Sequence, residues 1–499
     1  MLAKLFGKKS DHPMANLKLA RALLGDLPRN DLFRSVNELT DWIESVTLSD
    51  EFRLIDQFQV LSLLDETARP LSRKLAYEYF TLADTNTYQG NRISRALGSL
   101  AGHTVAAYCK LIMRYCQGEG AAIKAHLPLM VARAVRAMRE QVKYAAVHYG
   151  PYDETLWHQL AQLYQHAEQY EYLDTQVSLY SPLSPPTTVK REAGQLIAWY
   201  AYGINSLSPR SMHLAERIIA QYGNAVETSA TLHGQVLFGF DLARPAAPMR
   251  INVEATLHPS MRYISLADMQ ARLEELIVVL KKNVVPKELN LGGAYAAEWV
   301  LEAARHVLTN LVEPPVRLCA RRELTSVIDI VTGYANVLAS CPGRSGGEYP
   351  PMQWVLENIS PSGFCAVLSG RVADGLRIGQ LLGIHKSTQP GAAVVRRMLH
   401  DTEGRLHVGV EILSHGIFEV ALRAEGCDPQ PAIRLHADLE DGTAKLLMQL
   451  DGFSMLHSFK ADIDGKNYLM IPQQLLEKGT DYELAAFRII EQEPADRTL

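Results

Sequence analysis

The chain is poor in the features that mark secreted, membrane-spanning and disordered proteins. Cysteine is scarce: six in 499 residues, at positions 109, 116, 319, 341, 365 and 427, with no Cys-x-x-Cys pair. That is too sparse for a disulfide scaffold and lacks zinc-ribbon spacing, so reduced thiols in a cytoplasm are expected. No apolar run reaches the roughly 18 residues of a membrane span. The basic opening Met1-Leu2-Ala3-Lys4-Leu5-Phe6-Gly7-Lys8-Lys9 is followed by no signal-peptide core and reads as a frayed terminus. The expected localisation is therefore cytoplasmic, with no transmembrane segment. An excess of one charge is missing too: 50 Lys and Arg stand against 55 Asp and Glu, a net charge of −5. This gives no bulk electrostatic reason to expect nucleic acid as a partner. With 47% hydrophobic and 21% charged residues, the chain is neither disordered nor coiled-coil in composition. Its length predicts about three units at about 150 residues each.

Catalytic signatures are also missing. There is no phosphate loop Gly-x-x-x-x-Gly-Lys-Ser/Thr, no His-Glu-x-x-His, no Gly-x-Ser-x-Gly elbow and no Rossmann glycine fingerprint. His158 and His166 lie on one predicted helix and His407 on a predicted strand, none with a second ligand at metal spacing. Cys109 and Cys116, seven apart, share a helical face and read as small core residues. The reading is a protein that is not an enzyme and has no cofactor and no metal.

What is present changes period along the chain. In the first half, Leu156, Trp157, Leu160, Tyr164 and Ala167 recur at spacings of three and four and form one helical face, with Gln159, Gln162 and Gln165 turned to water. Similar stretches cover residues 40–66, 92–117 and 127–148. Trp157, Leu160, Ala161 and Tyr164 have the spacing that opens a tetratricopeptide repeat. A copy 34 residues on would put Arg191 at the tryptophan position, so residues 1–230 read as a helical bundle or irregular helical stack. Residues 231–312 read as a short β hairpin or link, Val236 to Val253, followed by two amphipathic helices, Leu266 to Lys282 and Tyr295 to Leu311; Pro314-Pro315 then stops the second helix.

Beyond Pro315 the period falls to about 2. The four Asp-Gly pairs of the chain, at 374/375, 441/442, 451/452 and 464/465, separate short β-rich runs and predict hairpins. Strands are expected at Gln353 to Leu356, Phe364 to Leu368, Leu381 to Ile384, Ala392 to Met398 and Leu406 to Ile412, after a first strand beginning near Val327. The fold class is α+β and multidomain: an N-terminal all-α region followed by a C-terminal antiparallel β-barrel over 313–425 and a β-rich extension over 426–499.

Two motifs flank the start of this barrel. Arg317-Leu318-Cys319-Ala320-Arg321-Arg322 precedes it, and Asn358-Ile359-Ser360-Pro361-Ser362-Gly363 follows the strand Gln353 to Leu356. Here the sequence resembles the PilZ domain family, whose members include receptors for the bacterial second messenger cyclic di-GMP. An Arg-x-x-x-Arg element precedes the barrel in that family, and an Asp/Asn-x-Ser-x-x-Gly element lies on it. Asn358, Ser360 and Gly363 match the second element position by position. The runs Gly379 to Leu382, Val394 to Arg397 and His407 to Glu411 are similar to the family's later strands. The arginines depart from the pattern. Aligning Arg321-Arg322 to a double arginine leaves Thr325 where another is expected, whereas Arg317 with Arg321 has the spacing but sits further from the strand. Residues 313–425 carry eleven basic and eleven acidic side chains, so no nucleic-acid footprint is expected there.

The physics of the motifs supports ligand binding rather than turnover. A guanidinium is a planar fork that can bond guanine O6 and N7, pair with phosphate or stack on a base. Asn and Ser supply donors and acceptors, and glycine permits close backbone approach. As plain structure, the arginines are solvated charges after a helix and the Asn358 to Gly363 segment is a polar turn. The resemblance implies a bacterial cytoplasmic sensor or adaptor. Its candidate ligand is cyclic di-GMP, its candidate site residues are Arg317, Arg321, Arg322, Asn358, Ser360 and Gly363, and its helical region would hold a protein partner. The alternative is a degenerate barrel that binds no nucleotide and serves as an interaction scaffold.

Overall fold

In a computed structural model the chain divides into two compact units, Met1–Pro315 and Val316–Leu499. The structure describes residues 11–82, 85, 87–180, 185–232, 236–251, 258–266, 268–312, 319–343, 350–370, 375–385, 389–424, 428–436 and 442–492. The opening basic stretch, Arg317, Cys427, Asp374 and Asp441 lie outside them.

The first unit begins with eight helices: α1 Leu17–Gly25, α2 Leu32–Leu48, α3 Leu54–Thr81, α4 Tyr88–Cys116, α5 Leu127–Ala146, α6 Thr155–Gln169, α7 Val189–Ala201 and α8 Pro209–Gln221. Several start where the sequence offers a capping oxygen to an orphan N–H: Asn16 caps α1, Asp31 α2, Thr87 α4, Thr188 α7 and Ser208 α8. The predicted stretch 40–66 is in fact two helices. The α2 carbonyls of Val46 and Thr47 end on the Gln57 side-chain amide of α3, with the Val46 bond at 2.8 Å. That amide satisfies groups a continuous helix would have bonded internally. Helices of 9 to 29 residues share no repeating unit. The predicted α6 face is buried at Leu156, Trp157, Leu160, Tyr164 and Ala167. Cys116 departs from its expected core role: it is exposed at the last residue of α4, where the helix leaves its neighbours, while Cys109 is half-buried. No described helix is long and apolar enough to cross a membrane.

A small antiparallel sheet follows, in the order β1 Glu227–Ser229, β4 Met261–Ser265, β2 Val236–Asp241, β3 Met249–Arg250. Helices α9 Met269–Leu280 and α10 Ala297–Val312 complete the unit.

The second unit is β throughout, apart from the short helix α11 Tyr334–Ala339. Its first six strands are β5 Arg322–Thr332, β6 Met352–Ser360, β7 Gly363–Leu368, β8 Leu381–His385, β9 Gly391–His400 and β10 Leu406–Ser414. They close into a barrel, β10-β7-β6-β5-β8-β9, around Trp354, Phe364, Ala366 and Val408, all fully buried. Closure removes the sheet edges that short antiparallel strands would otherwise expose.

A second set follows: β11 Ile417–Leu422, β12 Gln430–Leu435, β13 Thr443–Met448, β14 Phe459–Ile463, β15 Lys466–Lys478 and β16 Glu483–Glu491, in the order β11-β12-β13-β16-β15-β14. This sheet begins at Ile417, inside the range the sequence assigned to the first barrel. Two 2.8 Å backbone hydrogen bonds between Arg423 and Lys460 join the end of β11 to β14, and residues from all six strands, among them Leu422, Ala432, Leu446, Ala461, Met470 and Phe487, pack into one core. Numbered within each set, both run first-second-third-sixth-fifth-fourth. The unit thus carries the same six-stranded topology twice. Tyr334 and Leu381 of the first set donate their backbone N–H groups to Asp481 of the second at 2.9 Å each, and Arg396 of β9 forms a bidentate pair with Glu477 of β15 at 2.6 and 2.7 Å.

Candidate functional site

The antiparallel register of the first barrel assembles the candidate residues. The predicted first strand begins five residues earlier than expected, at Arg322 rather than near Val327. An irregularity between Glu323 and Ser326 lets the polar start of β5 join the ladder. Arg322 lies opposite Ile359 and Glu323 opposite Asn358, so the arginine segment runs beside the polar turn on neighbouring strands. Arg321 and Arg322 are exposed, and neither guanidinium has an ion-pair or hydrogen-bond partner among the described residues. Arg317 lies outside the described residues.

The turn residues have internal roles as well. The Ser360 hydroxyl donates to the Gly363 carbonyl at 3.1 Å, across the corner between β6 and β7. A Cβ on Gly363 would fall 2.2 Å from the Val410 carbonyl oxygen, so only glycine lets β10 pass this close. The close backbone approach expected of this glycine is made by the protein's own strand. Asn358 sits at a bulge between β6 and β7, and its Oδ1 is buried with no hydrogen-bond partner among the described residues, an unmet acceptor that costs about 1–3 kcal/mol.

Following the register sideways from Asn358 gives a row across five strands: Glu323, Asn358, Cys365, Gly409 and Arg397. At about 4.8 Å per strand the row spans about 19 Å of curved surface. Gly409 leaves it open in the middle, and a Cβ there would come within 3.1 Å of the Arg397 Cβ. Burial and then the hydrogen bond with Glu357 push the Cys365 thiol up to about 11, while the positive charges of Arg321 and Arg397 pull the other way. Both guanidinium groups therefore act on the centre of this face, Arg321 from the β5 side and Arg397 from the β9 side. Arg397 is exposed. Its neighbour Arg396 is tied to Glu411 and Glu477 and is not available to a ligand.

Sequence spacing did not single out Arg397, and it missed the company of His407. His407 Nδ1 lies 3.4 Å from Glu357 and Nε2 lies 3.2 Å from Asp401. Ligand atoms of Glu357, Cys365 and His407 all come within 4.8 Å of one another, a trio able to offer three donors to a metal ion. These residues come from β6, β7 and β10, and only the register brings them together. Against a desolvation push upward, hydrogen bonds from Arg405, His407 and the Glu403 backbone hold Asp401 well below the usual carboxylate range.

Residues 18–231, which span helices α1 to α8 and strand β1, match the protein family described as "Cyclic-di-GMP receptor FimW, N-terminal domain". No curated protein and no solved structure matches the chain. The helical region, short of half the chain, is thus similar to the N-terminal domain of a cyclic di-GMP receptor family.

Proposed function

We propose that the protein is a non-enzymatic cyclic di-GMP effector whose first barrel, a PilZ-like domain, binds the dinucleotide through Arg317, Arg321, Arg322, Asn358, Ser360 and Gly363, and whose helical region passes the signal to a protein partner. The observation that carries this reading is the β5–β6 register, which sets Arg322, with Arg321 just before it, beside the polar turn on a closed sheet, neither guanidinium having a partner among the described residues. The similarity of the helical region to a receptor family named for the same messenger supports it independently. In this reading Arg321 and Arg322 clamp guanine or phosphate, rotation of the half-buried Asn358 side chain brings its now buried Oδ1 to a base N–H, and Arg397 adds positive charge at the far end of the row. The second strand set repeats the topology without the chemistry. The segment before its first strand, Ser414-His415-Gly416, holds no arginine, so its proposed role is support. A ligand can shift the arrangement of the protein only through a difference in affinity between two arrangements.

A second reading rests on a specific observation: Ser360 and Gly363 are both engaged in shaping the hairpin, as a barrel that binds nothing would require. In that case the protein is a scaffold. Equilibrium binding of labelled cyclic di-GMP to the intact chain separates the two. Saturable binding that is lost in Arg321→Ala and weakened in Ser360→Ala supports the effector, and no binding up to about 100 μM supports the scaffold.

A further inference from the structure

Four helices of the first unit turn arginines toward one cavity of about 350 Å³, within the size range of small-ligand sites. Arg69 and Arg73, four apart, share a face of α3; Arg136 comes from α5, Arg191 from α7 and Arg217 from α8. One carboxylate, Glu192, lines the same space, which leaves an excess of four positive charges. Two of the five arginines are neutralised by protein. Arg136 holds both oxygens of the fully buried Glu192 at 2.6 and 2.7 Å, and Arg69 reaches Glu140 at 3.3 Å. The other three have only neutral partners: Arg73 donates to the Asn290 side-chain oxygen at 2.6 Å, Arg217 to the Asn290 carbonyl at 3.0 Å and Arg191 to the Pro186 carbonyl at 2.9 Å.

Among the described residues no carboxylate pairs with Arg73, Arg191 or Arg217. Arg73 is exposed and Arg191 and Arg217 are half-buried, so water screens part of their mutual repulsion, and an anion that completes the set would relieve the rest. The strain shows at Arg217, where burial and the like charges of Arg136, Arg69 and Arg73 disfavour the charged form against the pull of Glu216. The amide and carbonyl acceptors hold the side chains in place while leaving guanidinium N–H groups for a ligand. Tyr180 adds an aromatic wall, with Arg69 stacked 5.3 Å from its ring centre.

We propose that this cavity is a second ligand site, independent of the barrel, for a small anion bearing phosphate groups, with Arg73, Arg191 and Arg217 as its unpaired receptors. Planar guanidinium forks suit phosphate oxygens, and several around one space suit a di- or triphosphate better than a single carboxylate. Such a group could belong to a free polyphosphate or to a nucleotide, whose base would meet Tyr180. Inorganic pyrophosphate, GTP and cyclic di-GMP distinguish these sources.

The test is calorimetric titration of the full chain with each of the three probes, together with thermal melts. The expected result is saturable binding of pyrophosphate or GTP, weakened tenfold or more in both Arg73→Gln and Arg191→Gln; with cyclic di-GMP, the binding phase that those two variants weaken persists in the barrel variant Arg322→Ala, which loses only the barrel's own phase. The ligand-free melting midpoint of Arg73→Gln should equal or exceed that of the wild type, because a repulsion has been removed; a structural arginine would lower it. Preference for GTP over pyrophosphate would assign a nucleotide, and equal binding a polyphosphate. No binding of any probe at about 1 mM, weaker than any useful signalling affinity, or wild-type affinity in both arginine variants, would overturn the proposal. Loss of all binding in Arg322→Ala would likewise overturn it, by assigning the effect to the barrel.

Discussion

Glu192 of α7 gives the sharpest quantitative prediction. Its side chain is fully buried, accepts a bidentate pair from Arg136, lies 3.6 Å from Arg139 and accepts the Thr187 hydroxyl at 2.8 Å. Desolvation pushes its pKa up, but the charges and hydrogen bonds of Arg136, then Arg139 and Thr187, prevail and carry it from 4.5 down to about 2. A carboxyl whose folded pKa lies below its unfolded one stabilises the fold at pH above the unfolded value and loses that contribution as pH falls through the folded value. About 2.5 units at about 1.36 kcal/mol each give about 3 kcal/mol, fully present at neutral pH and declining from about pH 4.5 toward pH 2. Glu192→Gln keeps the shape and removes the charge, leaving Arg136 without its counter-ion and Arg139 with Glu216 alone, at a cost of about 3–5 kcal/mol. Urea unfolding followed by the far-UV helix signal, at neutral pH and in steps down to about pH 3, reads both effects. The variant should unfold earlier at neutral pH and show a shallower loss of stability on acidification. A Glu192→Gln protein with the wild-type midpoint and pH slope would refute the reasoning.

Three further outcomes follow from the second unit. Gly363→Ala forces a Cβ against the Val410 carbonyl and should cost about 1–3 kcal/mol by overpacking, read from the fluorescence of Trp354, the one tryptophan between residues 316 and 499. Asp481→Ala orphans the N–H groups of Tyr334 and Leu381, at about 1–3 kcal/mol each; an unchanged unfolding midpoint would contradict the link it makes between the two strand sets. The Cys365 thiol, pushed up to about 11, should alkylate far more slowly at neutral pH than the exposed Cys116, and Glu357→Gln should speed it by removing a negative neighbour. Equal rates measured by mass spectrometry would show that the Glu357 contact does not hold.

The helices were legible because burial imposes its period on the residues: the Trp157 to Ala167 face is buried as spaced. The barrel strands were legible for the same reason at period 2. Local chemistry was less decisive where tertiary pairing overrides it. Of the four Asp-Gly pairs, Asp464-Gly465 forms a two-residue hairpin, with φ of 53° and 82° between Ile463 and Lys466, the mirror-image turn that such a pair favours. Asp451-Gly452 instead lies between β13 and β14, which do not pair. Helix α11 was missed because six residues between two strands are too few to show a period. The polar opening of β5 concealed its true start, since Arg322 and Glu323 pair without being buried. Two arrangements had no signal in the chain read one residue at a time. The repeated strand order depends on which strands pair, and the arginine cavity collects residues from position 69 to position 290. The polar turn stood out because Asn358, Ser360 and Gly363 are close in sequence and sit at the one corner that joins β6 to β7.

The central claim is that the arginines at the start of β5 and the turn after β6 make one ligand site, and titration of labelled cyclic di-GMP into the intact protein, beside Arg322→Ala, measures it directly. The expected isotherm saturates at micromolar concentration or below, and the variant should bind about one to two orders of magnitude more weakly, the equivalent of one charged hydrogen bond of about 1.5–3 kcal/mol. A flat titration up to about 100 μM, where a site of micromolar affinity would be full, would contradict it.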